Sequence, residues 1–502
     1  MSGTETTATV DDHTEPPWLS TTEPIAPPDG SDLGQILRVY REVHDLTQAE
    51  LAKRLHITQP QLSKIESGKR LIHDVEQLRW IADRLDLPHD RLGLLPGPSA
   101  DHEPAADLSA SLGPVGDSQR TWYRVRQELN RQRHSLSRLA AELYREQTPA
   151  GDAAVLAPAE WLPAEPAELG SISLGWQRPT RPPRFRGSEA AAREIPIETV
   201  VPLADEHTSY DRYSRAMRDL ARPKLFDNRV CYRPVKIEFG ENPGRLEFGY
   251  TSYFDALDVA EAIAHEFAAA RLAQPDARLQ LADLPLRAVV GDPFDPATRP
   301  MCMSINTLTL RRVDDRRASF LLHKRSPAAV AAAGGVYHVI PCGVFQPSSV
   351  SPWDQANDFD LWRNIMREFS EELLGTQEHD GNSTEPIDYS ATEPFRSLNR
   401  ARSEGRIRPY CLGIVVEPLT LWVEVQTAVV IEAETFDDVF RGLVAHNDEG
   451  HLLAVGPGRL AEGIPFTRDS MERLAEVPLA PVAANLLHLA WKHRRALLRW
   501  SG

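Results

Sequence analysis

Nine residues late in the chain, Arg367 to Gly375 (REFSEELLG), hold its densest set of ligand-type side chains. On a helix Glu368, Glu371 and Glu372 fall at i, i+3 and i+4 and share one face. Three carboxylates so placed repel one another unless a divalent cation neutralises them. An oxygen-rich, partly hydrated set suits Mg2+ or Mn2+. A metal held there bridges a pyrophosphate and activates water. The competing reading is an amphipathic helix with a solvated acidic face and Phe369, Leu373 and Leu374 in the core. Other polar candidates are scattered. His265, His323, His338 and His446 read as core or surface histidines. No Ser/His/Asp order, phosphate-binding glycine loop or dinucleotide fingerprint is present, and no catalytic residue is assigned.

The acids need a rigid helix, expected over about Asp358–Leu374, set on a sheet. Strands are expected at Cys231–Phe239, Arg245–Tyr253, Met303–Arg312, Ala318–Lys324, Val336–Phe345, Pro409–Glu417 and Leu421–Glu432. Helices are expected near Ser209–Ala221, Ala256–Leu272 and Pro481–Arg499. Strands alternate with helices, which defines an α/β or α+β region.

A second constellation lies in Leu46–Arg70, LTQAELAKRLHITQPQLSKIESGKR. Thr47 is a candidate N-cap with Glu50 three residues on, the capping-box spacing. Ala49, Ala52 and Leu55 give the first helix its buried side. Thr58 is the next N-cap candidate, with Leu62 and Ile65 on the following helix's apolar side. About three residues around His56 and Ile57 separate the helices, which forces a steep crossing, tightest at Ala52.

This stretch and its flanks resemble the Cro/C1-type (XRE-like) helix-turn-helix family over about Asp32 to Leu95, on TQAELA, Ile57 and LSKIESGKR. The resemblance implies a five-helix, all-α domain that binds double-stranded DNA. It implies that Gln48 contacts a phosphate, that Gln59, Gln61, Ser63 and Lys64 face the major groove, and that Lys69 and Arg70 touch the backbone. Arg41 and Glu66 match a family pair that ties the first helix to the end of the recognition helix. Two positions depart from the pattern. His56 stands where the family usually has a left-handed glycine, a region His tolerates. Pro60 falls in the first turn of the recognition helix, where a missing N–H costs nothing. A helical hairpin in another small bundle is the competing reading.

REFSEELLG in turn resembles the second half of the Nudix box of nucleoside-diphosphate-linked hydrolases, its closing glycine one place late. In fold order the resemblance covers roughly Met303 to Glu432 and implies a Nudix-like α/β/α fold, with Gly343 in VYHVIPCGVF as the family's glycine. The glutamate expected six residues later is Ser349, and SVSPWDQAND intervenes before the helix. Asp358 and Asp360 stand as substitutes. The incomplete box implies a nucleotide-type ligand, with Mg2+, that is held without cleavage.

The 502 residues allow about three domains. No run of eighteen apolar residues offers a membrane span, and the acidic N-terminus is not a signal peptide. Cys231, Cys302, Cys342 and Cys411 form no CxxC pair, which fits a reducing cytoplasm. The net charge of −16 runs against DNA binding, but Lys53, Arg54, Lys64, Lys69 and Arg70 cluster at the motif. The expected organisation is a disordered tail (1–30), a helix-turn-helix domain (31–95), a linker (96–118), a long helix (119–146), a Pro/Ala-rich linker (147–194) and an α/β domain (195–502). Asp32 is expected to cap the first helix, Asp74 to start the fourth and Pro88 to open a fifth ending near Leu94.

In the long helix Trp122, Val125, Leu129, Gln132, Leu136, Leu139 and Leu143 run at 3-4 spacing. That is either a two-stranded coil with a central Gln fixing register or a helix packed on its own domain. Three functions stand open. The first is a homodimeric transcriptional regulator whose C-terminal domain senses a nucleotide or phosphorylated metabolite. The others are an active metal-dependent pyrophosphohydrolase tethered to DNA and a protein-interaction adaptor.

Overall fold

Two threonine-started helices form the middle of the N-terminal unit. The computed structural model describes residues 33–44, 46–68, 72, 75–87, 113–147, 155–176, 199–223, 226–239, 244–296, 298–325, 336–376, 385–441, 450–453, 463–475 and 477–500. One unit comprises residues 1–72, 76–101 and 381–386, the other 73–75, 102–380 and 387–502. The expected tail over 1–30, the caps at Asp32 and Asp74, the fifth helix from Pro88 and His446 lie outside the described residues.

The first unit contains α1 (Leu33–Val43), α2 (Gln48–Arg54), α3 (Gln59–Glu66) and α4 (Val75–Arg84). Thr47 Oγ1 accepts from the Glu50 N–H at 3.3 Å, and Glu50 Oε2 accepts from the Thr47 N–H at 2.8 Å. Thr58 and Gln61 repeat the exchange at 3.4 and 2.8 Å. Each exchange satisfies two N–H groups that a helix start leaves orphaned. Pro60 sits in the first turn of α3. The turn between α2 and α3 passes through His56 at φ 47°. Leu37, Tyr40, Leu51, Leu62, Ile65 and Ile81 form the heart of the core.

One detail differs from expectation. Ala49 is exposed and Leu51 is buried in its stead. Leu51 and Leu55 set the buried line of α2, and at about 100° per residue Ala49 is turned well away from it. Ala52 is buried, as expected, and α1 comes close to α3 at Gly34, where an added Cβ would overlap the Ile65 carbonyl oxygen.

The second unit begins with α5 (Pro114–Ala141), β1 (Ala167–Glu168), β2 (Ser173–Trp176), α6 (Tyr213–Leu220), β3 (Val230–Glu238), β4 (Arg245–Ser252), α7 (Tyr253–Ala273) and α8 (Pro285–Val290). It continues through β5 (Met303–Arg312), β6 (Ala318–Phe320), β7 (Leu322–Arg325), β8 (Tyr337–Val339), β9 (Cys342–Val344), α9 (Pro352–Asn357), α10 (Leu361–Glu368) and α11 (Phe395–Ser403). It closes with β10 (Ile407–Val416), β11 (Val423–Glu432), α12 (Ala433–Val439), β12 (Gly450–Leu453), β13 (Ile464–Pro465), α13 (Arg468–Leu474), α14 (Pro481–Lys492) and α15 (Arg494–Leu498).

The main sheet has the order β1-β10-β11-β5-β6-β13, and β9 shares the β6 edge of β5. β5 and β11 run parallel while β10 and β11 are antiparallel. Alternate residues of β11 serve two cores, because strand side chains alternate between faces. Val423, Val425, Val429 and Ile431 pack in the core that holds Ile365 and Phe369. Ala428 and Val430 pack in the core that holds Leu486 and Leu487 of α14. The sheet thus has helices on both faces. Two smaller sheets, β2-β4-β3 and β12-β7-β8, flank it.

The expected strand at 318–324 divides at Leu321 between the main sheet and a small one. The strand expected at 336–345 divides at Ile340–Pro341, where proline has no N–H to donate to a ladder. The expected Pro/Ala linker over 147–194 is partly integral to the fold: β1 pairs with β10, β2 pairs with β4, and Trp161 and Leu169 are buried.

The coiled-coil seam is already covered. Leu129, Leu136 and Ala140 share a core with Ala264, Phe267 and Ala268 of α7, and Trp122 stacks on His265 with centroids 5.6 Å apart. Gln132, expected at the centre of the seam, is exposed and donates to Glu128. The packed-helix reading therefore holds, and the seam gives no ground for pairing two subunits. No helix among the described residues is long and apolar enough to cross a membrane.

Candidate nucleic-acid interface

A buried carboxylate organises the polar face of the N-terminal unit. Glu66, at the end of α3, is 4% exposed. Arg41 on α1 donates to it through Nε at 3.0 Å, and Gln48 Nε2 at the start of α2 donates at 2.8 Å. Gln48 Oε1 in turn accepts from Gln59 Nε2 at 2.9 Å. Arg38 closes the same corner by donating to the Glu66 backbone carbonyl. Four side chains from three helices thus form one chain of hydrogen bonds. Every link is directed, since an arginine only donates and an ionised carboxylate only accepts.

The chain leaves Gln59 with a defined outward face. One N–H is committed to Gln48, and the other N–H and the carbonyl oxygen remain at an exposed position of the first turn of α3. Lys64 is exposed and Ser63 half-buried on the same helix. Gln61 differs from what the family pattern implies: its side-chain oxygen accepts from the Thr58 N–H and hydroxyl. That oxygen is committed to starting the helix. Lys69 and Arg70 lie outside the described residues.

The acidic helix is built differently from the expectation. α10 starts at Asp360, whose carboxylate accepts from the Arg363 N–H at 2.9 Å. Beyond Glu368 the helix widens into a π turn over Phe369–Leu373, in which bonding runs i to i+5, and Glu368 and Glu372 both meet β9. Glu368 lies against Gly343, where an added Cβ would overlap its carboxylate. Glu372 is buried and accepts from the Cys342 N–H at 3.2 Å. Among the described residues no group of three His, Cys, Asp or Glu side chains could hold a metal. Glu368, Glu371 and Glu372 do not fit a Mg2+ site, and no chemistry is routed through one.

The substitutes for the missing glutamate are also engaged. Ser349 donates to Asp354. Burial lifts the Asp354 carboxyl to about 6 against the opposing pull of that hydroxyl. Asp358 is buried, accepts from the Ser348 N–H at 2.7 Å and from the Tyr389 hydroxyl at 2.7 Å, and lies 3.3 Å from Arg367. These groups are the polar filling between α10 and the loop before it.

One polar centre is not apparent from the sequence. Arg126 and Arg133 of α5, 2% and 7% exposed, converge on the fully buried Glu261 of α7. Burial pushes the Glu261 carboxyl up, but Arg133 and Arg126 outweigh it and hold the group at about 2. Beside them the Tyr213 hydroxyl meets His265 Nδ1 at 2.9 Å. Burial, reinforced by Arg126, depresses His265 to about 3. The available signal was the set of acids inside the apolar run of α7, Asp258, Glu261 and Glu266, together with arginines seven apart among Trp122, Leu129 and Leu136.

A family model for a helix-turn-helix domain matches residues 32–95. No curated protein matches the chain. The N-terminal unit is therefore similar to helix-turn-helix domains, a DNA-binding architecture that lays its second motif helix in the major groove. The match ends before the α/β unit begins.

Proposed function

We propose that the chain is a cytoplasmic transcriptional regulator of the Cro/C1 type that binds a double-stranded DNA operator through Gln48, Gln59, Ser63 and Lys64. The observation that carries this reading is the hydrogen-bond chain Arg41–Glu66–Gln48–Gln59, which fixes the amide of Gln59 at the exposed start of α3. A glutamine with a free carbonyl oxygen and a free N–H matches the N6 and N7 edge of adenine. Lys69 and Arg70 enter as phosphate contacts by the family pattern alone. Gln61 enters by the family pattern alone and through its side-chain N–H groups, since its oxygen caps α3.

The α/β unit enters as the regulatory part of the same chain, responding to a nucleotide-type or phosphorylated metabolite. Its support is that it shares a chain with a reading head, together with the order of β9 and α10. A hydrolase is not proposed, because Ser349 stands where the box glutamate is expected. A two-fold operator rewards two copies of the protein, joined by a surface other than the seam of α5.

The test is selection of a binding site from random duplexes by the full chain, followed by gel-shift titration. Gln59→Ala is expected to lose about 1–3 kcal/mol on the preferred site and to relax preference at one base pair. Equal affinity and equal preference for the variant would remove the reading.

A further inference from the structure

The face of α5 opposite α7 carries a line of arginines. Arg120, Arg124, Arg131 and Arg138 are all exposed, with Arg120 and Arg131 side chains 62% and 74% accessible. At about 100° per residue the four fall within a wedge of about 40°. They span about 27 Å at 1.5 Å per residue. The buried residues Trp122, Leu129, Leu136 and Ala140 lie on the opposite side of the helix. Three acids flank the line: Asp117 and Glu128, bonded to Arg120 and Arg131 three residues away, and Glu142, bonded to Arg145. Exposed pairs of that kind are worth little and exchange partners readily. The hydrogen bond from Arg131 holds the Glu128 carboxyl below the usual range, and Arg124 faces Glu128 closely enough to help; Arg138 lies exposed in the last turn.

The line runs against the balance of the chain, which has 72 acidic and 56 basic side chains. A positive ridge on an acidic protein selects a polyanion. The guanidinium group also suits phosphate, which it meets with two parallel hydrogen bonds. The polyanion at hand is the one the N-terminal unit reads. Residues 88–112 join Leu87 to Gly113 and span at most about 90 Å when extended, so a duplex held by α3 is within reach of α5.

We propose that the outward arginine face of α5 is a second, sequence-independent contact to the phosphates of duplex DNA flanking the operator. This rests on the reading of the N-terminal unit as the operator-binding head. The arginines add affinity and salt dependence, while α3 supplies base preference.

The experiment uses the full chain, a selected operator with or without about 20 flanking base pairs, and the variant Arg124→Gln with Arg138→Gln. Both positions are exposed, so folding is checked simply by an unchanged melting curve. Loss of two phosphate contacts is expected to make the slope of log K against log salt shallower by about 2. The advantage of the flanked duplex should fall several-fold near 0.1 M salt, with base preference unchanged. Arg124→Lys with Arg138→Lys should keep the slope. Arg468→Gln with Arg473→Gln, the same charge change on exposed positions of α13, should leave it alone.

An unchanged slope for the Arg124/Arg138 variant overturns the proposal. So does a loss of binding to an acidic protein with DNA binding intact. So does an equal loss from the α13 control, which would mean net charge alone. Gln59→Ala in the same assay separates the two claims. If it changes base preference while the α5 variant changes nothing, the head is as described and the second contact is absent. If neither changes anything, the reading of the head has failed as well.

Discussion

The side-chain amide of Gln59 donates to the carbonyl oxygen of Gln48 across 2.9 Å, joining the starts of α3 and α2. A side chain held from behind loses less freedom when it meets a base. Gln48→Ala should therefore weaken discrimination at the base pair read by Gln59, even though Gln48 itself faces a phosphate in the proposed complex. A double-mutant cycle on the preferred and changed base pair is expected to show about 0.5–3 kcal/mol of coupling. Strict additivity would mean that the two glutamines act separately.

Arg41 and Glu66 should not be equivalent in stability. The Arg41 side chain is 22% exposed and that of Glu66 3%. Arg41→Ala strands a buried carboxylate, which costs about 3–5 kcal/mol when burial is complete. Glu66→Ala leaves arginines that can turn to water, so a smaller loss is expected. Urea titrations of the isolated 31–95 segment measure both. Equal losses would show that the carboxylate finds water once Arg41 is gone.

Gly34→Ala is expected to destabilise the same segment, although alanine is the better helix former by about 1 kcal/mol. The new methyl meets the Ile65 carbonyl, and overpacking of this kind costs about 1–3 kcal/mol. A melting temperature at or above that of the unaltered segment would show that α1 can slide away from α3.

The second unit should be acid-labile through two neighbours. Glu261 and His265 both have folded-state values below their ordinary ones, near 2 and 3. In each case the unfolded chain binds more protons over the intervening range, so stability rises with pH there. The His265 contribution is complete above about pH 6.5 and is lost on the way down towards 3. The Glu261 contribution is complete above about 4.5 and is lost towards 2. His265→Gln should flatten the limb between about pH 6.5 and 4.5. Melting temperatures from pH 8 to 4 test this, and an unaltered limb would move the acid sensitivity elsewhere.

Mg2+ or Mn2+ at millimolar concentration should leave the melting temperature of the chain unchanged. Nucleoside-diphosphate derivatives incubated with either ion should be recovered intact. Steady product formation, abolished by Glu371→Gln, would restore the hydrolase.

Sequence made the N-terminal unit legible because its determinants are local. Thr47 with Glu50 and Thr58 with Gln61 are three residues apart, and the left-handed His56 sits between two apolar periods. The α/β unit was legible as alternating elements but not as a site. Arg126 and Glu261 are 135 residues apart, and nothing in the period of α5 distinguishes an arginine that is buried from one that is solvated. Glu372 bonds Cys342 across 30 residues, from a π turn that counting along an ideal helix does not anticipate. Short β1 and β2 hide among prolines and alanines because each borrows its ladder from a distant strand.

β11 lends its odd-numbered valines and Ile431 to one core and Ala428 and Val430 to the other. The chain is therefore a two-sided key at this strand, cut differently on each edge. One extra residue between Val425 and Ala428 would present the bulky edge to α14 and the small one to α10, spoiling both locks at once. Two extra residues would preserve the edges and only lengthen the shank. Natural variation in length here should come in pairs, which gives a criterion for recognising distant kin of this unit when their side chains have otherwise drifted.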